Sequence, residues 1–507
     1  MKPRLVAVVL SVLVSAGGAQ AARAQPQTIA AAGEKVVAPF SVSGDAEAGV
    51  ATEGVVDEPT TESFEAVTFK PSGVAIYQLG TSGTASKKLW QTPGRAASAP
   101  AAAQRRVPDS DYAPALKPEG HIAATDYVMP DVPDDWTEGT SYKSPGFSSY
   151  LTLVGLMDYN AFAQDSASKA QVGAQDNQWD VRSLRFMTHG AVKSAHPVDY
   201  FISVSVADPD AVKAGADAVG LSDWYVRTPL GHIGELRYGK VKEPFIYEIV
   251  GDAANLPQQE RILNPFFVSR ATGFRLDNTM AGDRMSWSVG WFNSWWEERE
   301  PFNTSPNDFA GRLTGLPYLS KDGDIYVHLA AALRYAGDTA GVMQFHDRPN
   351  SNTADYYVDT GKIKAEHAIE TSLEALWTQG PFSILSEYAR ANVDSPSTGN
   401  PTFWGAYATV SYVLTGEHRP YDTKVAYARR VMPEGRWGAW EIVGRYSHID
   451  LNDALATGGT MNNTALGLSW WATRRWKFGI DYSVTNLDRP DTQGRTHALH
   501  PRIQWIY

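Results

Sequence analysis

The chain ends on Arg502-Ile503-Gln504-Trp505-Ile506-Tyr507, and no other stretch restricts its fold as tightly. In a β-strand successive side chains point to opposite faces. Leu499, Ile503, Trp505 and Tyr507 then share one face, while His500, Arg502, Gln504 and Ile506 share the other. A soluble protein has little reason to lay two bulky aromatics along one side of its last strand. A strand with lipid outside and water inside does, because aromatic rings settle at the membrane boundary and polar groups line the lumen.

The opposite end is consistent with export. Lys2 and Arg4 precede an apolar run from Leu5 to Ala16, followed by the small-residue sites Ala19-Gln20-Ala21 and Ala22-Arg23-Ala24. This is the pattern of a secretory signal peptide over residues 1–24. The chain contains no cysteine, which excludes a lipoprotein anchor, a disulfide framework and a thiolate metal site. Beyond the signal, no stretch approaches the ~18 apolar residues of a membrane-spanning helix. Export without such a helix leaves a soluble exported protein or a membrane β-barrel.

Texture divides the rest. Residues 25–146 are rich in Ala, Pro, Thr and Ser, with Ala97 to Ala103 almost all small. Such composition buries too little apolar surface to fold well, and a largely disordered periplasmic segment is expected. From residue 147 to 507, blocks rich in Tyr, Trp, Val and Gly alternate apolar and polar positions to the end. Leu151, Leu153, Met157 and Tyr159 oppose Thr152, Asp158 and Asn160; Trp440, Ile442 and Tyr446 oppose Glu441, Arg445 and Ser447. Each block is about 10 residues long, the length a tilted strand needs to cross a bilayer.

Number and punctuation favour a barrel over a soluble sandwich. Short turns such as Gln379-Gly380-Pro381 and Thr473-Arg474-Arg475 alternate with long polar segments such as Asn350 to Lys362. Short turns on one rim and long loops on the other characterise outer-membrane barrels. Gly380 and Thr473 are therefore expected at the periplasmic rim and Asn350 to Lys362 outside the cell. The reading is an all-β, transmembrane antiparallel barrel of 16 strands, with 18 as the alternative count. Sixteen strands leave roughly 22 residues per strand and connection, a porin-sized spacing.

Over most of residues 147–507 the sequence resembles the phosphate-selective porins O and P of Gram-negative outer membranes. The likeness is carried by Gly239-Lys240-Val241-Lys242-Glu243-Pro244-Phe245, Glu260-Arg261, Arg270-Ala271-Thr272-Gly273, Gly311-Arg312-Leu313 and Leu414-Thr415-Gly416-Glu417-His418-Arg419-Pro420-Tyr421. It continues through Gly438-Ala439-Trp440-Glu441 and Leu466-Gly467-Leu468-Ser469-Trp470. The resemblance implies a homotrimer of 16-stranded barrels, lumen loops folded inward, and basic residues guiding phosphate. It further implies outer-membrane lipid and lipopolysaccharide as surroundings, and barrel assembly machinery reading Ile503, Trp505 and Tyr507 as an assembly signal.

Arg and Lys are the residues an anion path needs, because they replace lost hydration while releasing the ion; the planar guanidinium suits phosphate. The pore-constriction candidates are Arg182, Arg185, Lys242, Arg261, Arg270 and Arg312, with Asp223 as an acidic neighbour. Arg261 and Lys242 are the first choices for the anion contact. Two features depart from the family. Ser183 stands where the family commonly has a further arginine, and Glu243 to Arg270 contains no lysine. A general porin, or one for another solute such as carbohydrate, is therefore the alternative. Net charge, −11 for the chain, does not decide, since selectivity follows the local field at the constriction.

Other classes find little support. There is no G-x-S-x-G, H-E-x-x-H or P-loop pattern, and no cofactor or metal is implied. His497 and His500 fall on opposite strand faces. Glu441 and Arg445 share a face and are a plausible ion pair. No basic patch points to nucleic acid. An outer-membrane enzyme or adhesin remains the remote alternative.

Overall fold

The computed structural model describes residues 141–507 apart from 193–195, 207–218, 299–301, 303–304, 339 and 490–491; the expected signal peptide, 1–24, and residues 25–140 of the expected disordered segment lie outside the described residues. Sixteen strands form one antiparallel sheet closed on itself. They are β1 (Phe147–Gln164), β2 (Gln178–Val192), β3 (Val198–Val206) and β4 (Val219–Pro229). Next come β5 (Glu235–Val241), β6 (Ala271–Met280), β7 (Met285–Asn293) and β8 (Asn307–Leu319). β9 (Ile325–Gly337), β10 (His367–Gln379), β11 (Phe382–Asp394) and β12 (Thr402–Val413) follow. β13 (Ala439–Asp453), β14 (Ala456–Trp471), β15 (Trp476–Arg489) and β16 (Thr492–Ile506) complete the ring.

The terminal strand makes the closure. β16 pairs with β1 from Gln164↔Thr496 to Val154↔Ile506. Tyr507 N donates to Leu153 O at 2.8 Å and Leu153 N donates to Tyr507 O at 2.9 Å. Below this point Ser141–Ser144 pairs with Tyr150 to Phe147 of β1 and continues the line of β16. The sheet thus begins a few residues upstream of 147.

Alternation holds along the wall. In β14, Thr464, Leu466 and Leu468 face outward while Asn463, Ala465 and Ser469 are buried inward. Aliphatic side chains occupy the outer middle, and paired aromatic rings crown both rims. Trp440–Trp470, Trp470–Phe478, Trp476–Trp505 and Trp505–Tyr507 run along one rim. Tyr159–Trp179, Phe309–Tyr335 and Trp404–His448 lie near the other. An aliphatic band between two aromatic girdles is the lipid-facing surface of a barrel that spans a membrane.

Connections 230–234, 281–284, 320–324, 380–381 and 472–475 are short and share the rim at which β16 ends. Gly380 and Thr473 accordingly lie on one rim and residues 350–362 belong to the other. Two findings differ from the sequence reading. Asn350 to Lys362 is not simply a polar external loop: Asn350, Ser351, Tyr357 and Val358 are buried. The reason is local, since Phe345, Tyr357, Val358 and Ile363 join the apolar cluster within the barrel. Second, one connection on the short-turn rim, 414–438, is long. The wall is also uneven: β3, β5 and β7 have 9, 7 and 9 residues, against 15, 16, 14 and 15 for β13 to β16.

Leu466, 61% exposed at mid-wall, provides a test of the lipid face. Leu466→Arg should cost ~2–4 kcal/mol and Trp470→Arg, at the girdle, only ~0–1 kcal/mol from its charge. Denaturant titration of the folded barrel in lipid vesicles measures both; equal costs would contradict the assigned depth.

Candidate pore lumen

Inward parity places Arg182, Arg185, Arg227, Arg237, Arg275, Arg312, Arg334, Arg445 and Arg502 on the lumen side, buried, with carboxylates interleaved. Two further segments then enter the barrel from opposite rims. The first, 242–270, follows β5, within which Gly239 has a φ of 139° and a contact with the Trp224 carbonyl, which a Cβ would overlap, that admit only glycine. Its Phe245, Ile246, Ile249, Ile262, Leu263 and Phe266 pack against Leu376, Leu385, Phe403, Tyr407 and Ile449 of the far wall. These apolar contacts fill that half of the lumen.

The second segment, 414–438, meets the first. Asn255 donates to the Tyr427 hydroxyl at 2.9 Å, and Ala428 N donates to the Tyr247 hydroxyl at 2.8 Å. Arg419 ties this junction to the wall, donating to Glu441 through Nε and Nη2 at 2.9 and 2.7 Å and to Asn255 O at 2.7 Å. Arg312 donates to Glu374 at 2.8 and 2.7 Å and to the carbonyls of Val425 and Ala426. A guanidinium that satisfies carboxylate and backbone carbonyls together is the arrangement in which a buried charge is tolerated.

An open cavity of about 510 Å³ remains between the other wall and these segments. Arg185 of β2, Arg237 of β5, Lys242, Arg270, Arg275 of β6 and Lys424 border it, against Asp223, Glu235, Asp252 and Asp277. The wall therefore carries six basic side chains and four acidic ones, a local excess of positive charge in a chain that is acidic overall. The cations are held in place. Arg270 Nε lies 2.9 Å from Asp223 Oδ2, Arg275 Nε 2.7 Å from Asp277 Oδ1, and Arg237 Nε 3.2 Å from Asp277 Oδ2. Arg185 Nη1 is 3.7 Å from Asp252 Oδ2, and Lys242 Nζ donates to Gly251 O at 3.0 Å.

Two acids of the first segment, Asp252 and Glu260, are held in the charged form. Burial works against charge on Asp252, but Arg185 and then Lys242 outweigh it and hold its carboxyl below the usual carboxylate range. Burial likewise opposes ionisation of Glu260, yet the Arg182 and Arg502 guanidiniums bring its carboxyl down to about 2.

Of the sequence-derived candidates, Arg185, Lys242, Arg270 and Asp223 border the cavity together. Three others do not border it. Arg182 donates to Glu260 at 2.9 Å, Arg261 to the Glu248 carbonyl at 2.8 Å, and Arg312 to Glu374. Glu441 and Arg445 do not pair with each other: Glu441 takes Arg419, while Arg445 approaches Glu248 at 3.6 Å. Ser183, in the place of an expected arginine, accepts from Arg185 Nε at 2.9 Å. Arg237 and Arg275 went unremarked in the sequence although their strands signal them, Arg275 and Asp277 alternating against Phe274 and Leu276. Lys424 had no local signal, since its place depends on the whole segment 414–438 turning inward.

A closed antiparallel barrel with an aliphatic outer band and a charged, partly open lumen is the architecture of a membrane-spanning channel. The family model described as phosphate-selective porin O and P matches residues 157–507, and the chain belongs to that family. Among curated relatives, Porin O of Pseudomonas aeruginosa is 28% identical over 166 residues, covering 30% of this chain and 36% of that protein. An uncharacterized protein of Caulobacter vibrioides is 26% identical over 186 residues, covering 35% and 37%. The matched stretch is thus about a third of each relative. Similar solved structures include the outer membrane channel DcaP of Acinetobacter baumannii, with TM-score 0.47, 10% identity and coverage of 73% of this chain and 100% of that one. The anion-selective porin from Comamonas acidovorans has TM-score 0.46 and 11% identity, covering 71% and 100%.

The Arg419–Glu441 tie can be tested directly. Arg419→Ala leaves Glu441, fully buried, without its cation and should destabilise the fold by about 3–5 kcal/mol. It should also raise single-channel conductance, as the junction loosens. The double variant Arg419→Ala/Glu441→Gln should recover part of the stability in thermal unfolding followed by gel mobility.

Proposed function

We propose that this outer-membrane channel passes small anions in preference to cations, with phosphate among its solutes. The observation that supports this reading is the excess of basic over acidic side chains around the open cavity. A solute passing between Arg185, Lys242 and Arg270 exchanges water for charge-assisted hydrogen bonds, while carboxylates beside each arginine keep the hold weak enough for release. Arg261 and Arg312 instead serve to anchor the in-folded segments.

Reversal potentials across planar bilayers with a potassium chloride gradient test the reading. The unmodified pore should prefer chloride, and millimolar phosphate should reduce chloride current. Arg270→Glu should shift preference toward cations, since one charge ~5 Å from the path contributes about 3 kcal/mol at an effective dielectric near 20. The shift should shrink in concentrated salt. A pore that already prefers potassium and ignores phosphate would favour the general-porin alternative.

The remaining expectations belong to the same proposal. The protein forms a homotrimer in outer-membrane lipid and lipopolysaccharide, with the short-turn rim facing the periplasm. Ile503, Trp505 and Tyr507 serve as the signal read by barrel assembly machinery. Removing Tyr507 deletes both backbone hydrogen bonds to Leu153 and should lower the amount of heat-modifiable barrel in outer-membrane fractions; undiminished levels would contradict that role.

A further inference from the structure

The cavity carries one feature that a bare inorganic ion does not need. Met187, Phe201, Tyr225 and Val241 line it from four successive inner strands, with Val250 beside them from the in-folded segment. The four wall residues belong to one continuous apolar cluster. Phe201 and Tyr225 are cross-strand partners whose rings stack at 5.4 Å and 14°. Arg237 lies over the Tyr225 ring, its Cζ 5.5 Å from the centroid. A water-filled barrel ordinarily presents polar side chains inward, so an apolar strip along the open side of the lumen calls for a solute that uses it.

We infer that the cavity accommodates small organic anions, an aryl or short alkyl group bearing a phosphate or carboxylate, with the apolar part on the Met187–Phe201–Tyr225–Val241 strip and the anionic group among Arg185, Arg237 and Arg270. The volume agrees: 510 Å³ lies within the range of sites that hold small organic molecules and exceeds what a single oxyanion fills. The arginine over Tyr225 joins the two halves of the site, its guanidinium being held by the ring and by Asp277 at once.

This inference rests on the anion-channel reading, and the experiment separates the two. Block of chloride current is titrated with phenyl phosphate and with inorganic phosphate on the unmodified protein and on Phe201→Asn. Phenyl phosphate should block the unmodified pore at about tenfold lower concentration, a difference of ~1.4 kcal/mol, and Phe201→Asn should bring that ratio toward one. Should Phe201→Asn fail to reach the membrane as a heat-modifiable barrel, Met187→Ser carries the same test from the neighbouring strand. Equal block of the unmodified pore by the two ions overturns the apolar subsite while leaving an anion channel standing. Stronger block by phenyl phosphate that survives both substitutions overturns it as well, by placing binding elsewhere. A potassium-preferring pore blocked by neither contradicts the anion reading itself.

Discussion

Backbone groups in hydrocarbon have no water to bond to, so a sheet can cross a membrane only when its edges meet. Every other feature of this protein depends on that closure. The Val154↔Ile506 register and the two Leu153–Tyr507 hydrogen bonds join first strand to last. Closure fixes the parity of sixteen strands, and parity sorts the sequence into a lipid-facing surface and a lumen rich in charge.

A lumen so charged is stable only if its charges are answered, and that requirement shapes the pore. On the β8 to β16 side, Arg312, Arg334, Arg419 and Arg502 are each bound to buried carboxylates, and two in-folded segments close the space. These arginines act as structure. On the side with the shorter strands β3 to β7, the same chemistry remains open to the cavity, and the basic groups outnumber the acids. The open cavity is therefore eccentric, lying along one wall of the lumen. Charge compensation also tempers the field: an arginine that leans on a carboxylate presents less net positive charge to the lumen.

Much of this was legible in the sequence, and the parts that were not have a common cause. Alternation in Leu151 to Asn160 and Trp437 to Ser447 gave the correct outward and inward faces, because a period of two is a local property. The terminal aromatics marked a strand at the membrane boundary for the same reason. The direction of 414–438 was hidden, since a connection on the short-turn rim carries no periodicity that says whether it turns inward. Partner choice was hidden as well. Glu441 and Arg445 share a face in sequence, yet Arg419 and Glu248 take them, through contacts that exist only once both segments are inside. Arg261 ranks ahead of Arg270 as an anion contact on sequence; only the path of the first segment turns Arg261 toward the Glu248 carbonyl and leaves Arg270 at the cavity.

The eccentric passage is the central claim, and thiol modification of a naturally cysteine-free chain tests it most directly. Val241 lines the open cavity, whereas Leu385 points into the filled half of the same lumen. With single cysteines at these positions and a negatively charged methanethiosulfonate reagent added during bilayer recording, Val241→Cys should lose conductance in steps while Leu385→Cys remains unaffected. Rapid modification at 385 with none at 241 would place the water path through the half that the in-folded segments are said to fill, and would contradict the account.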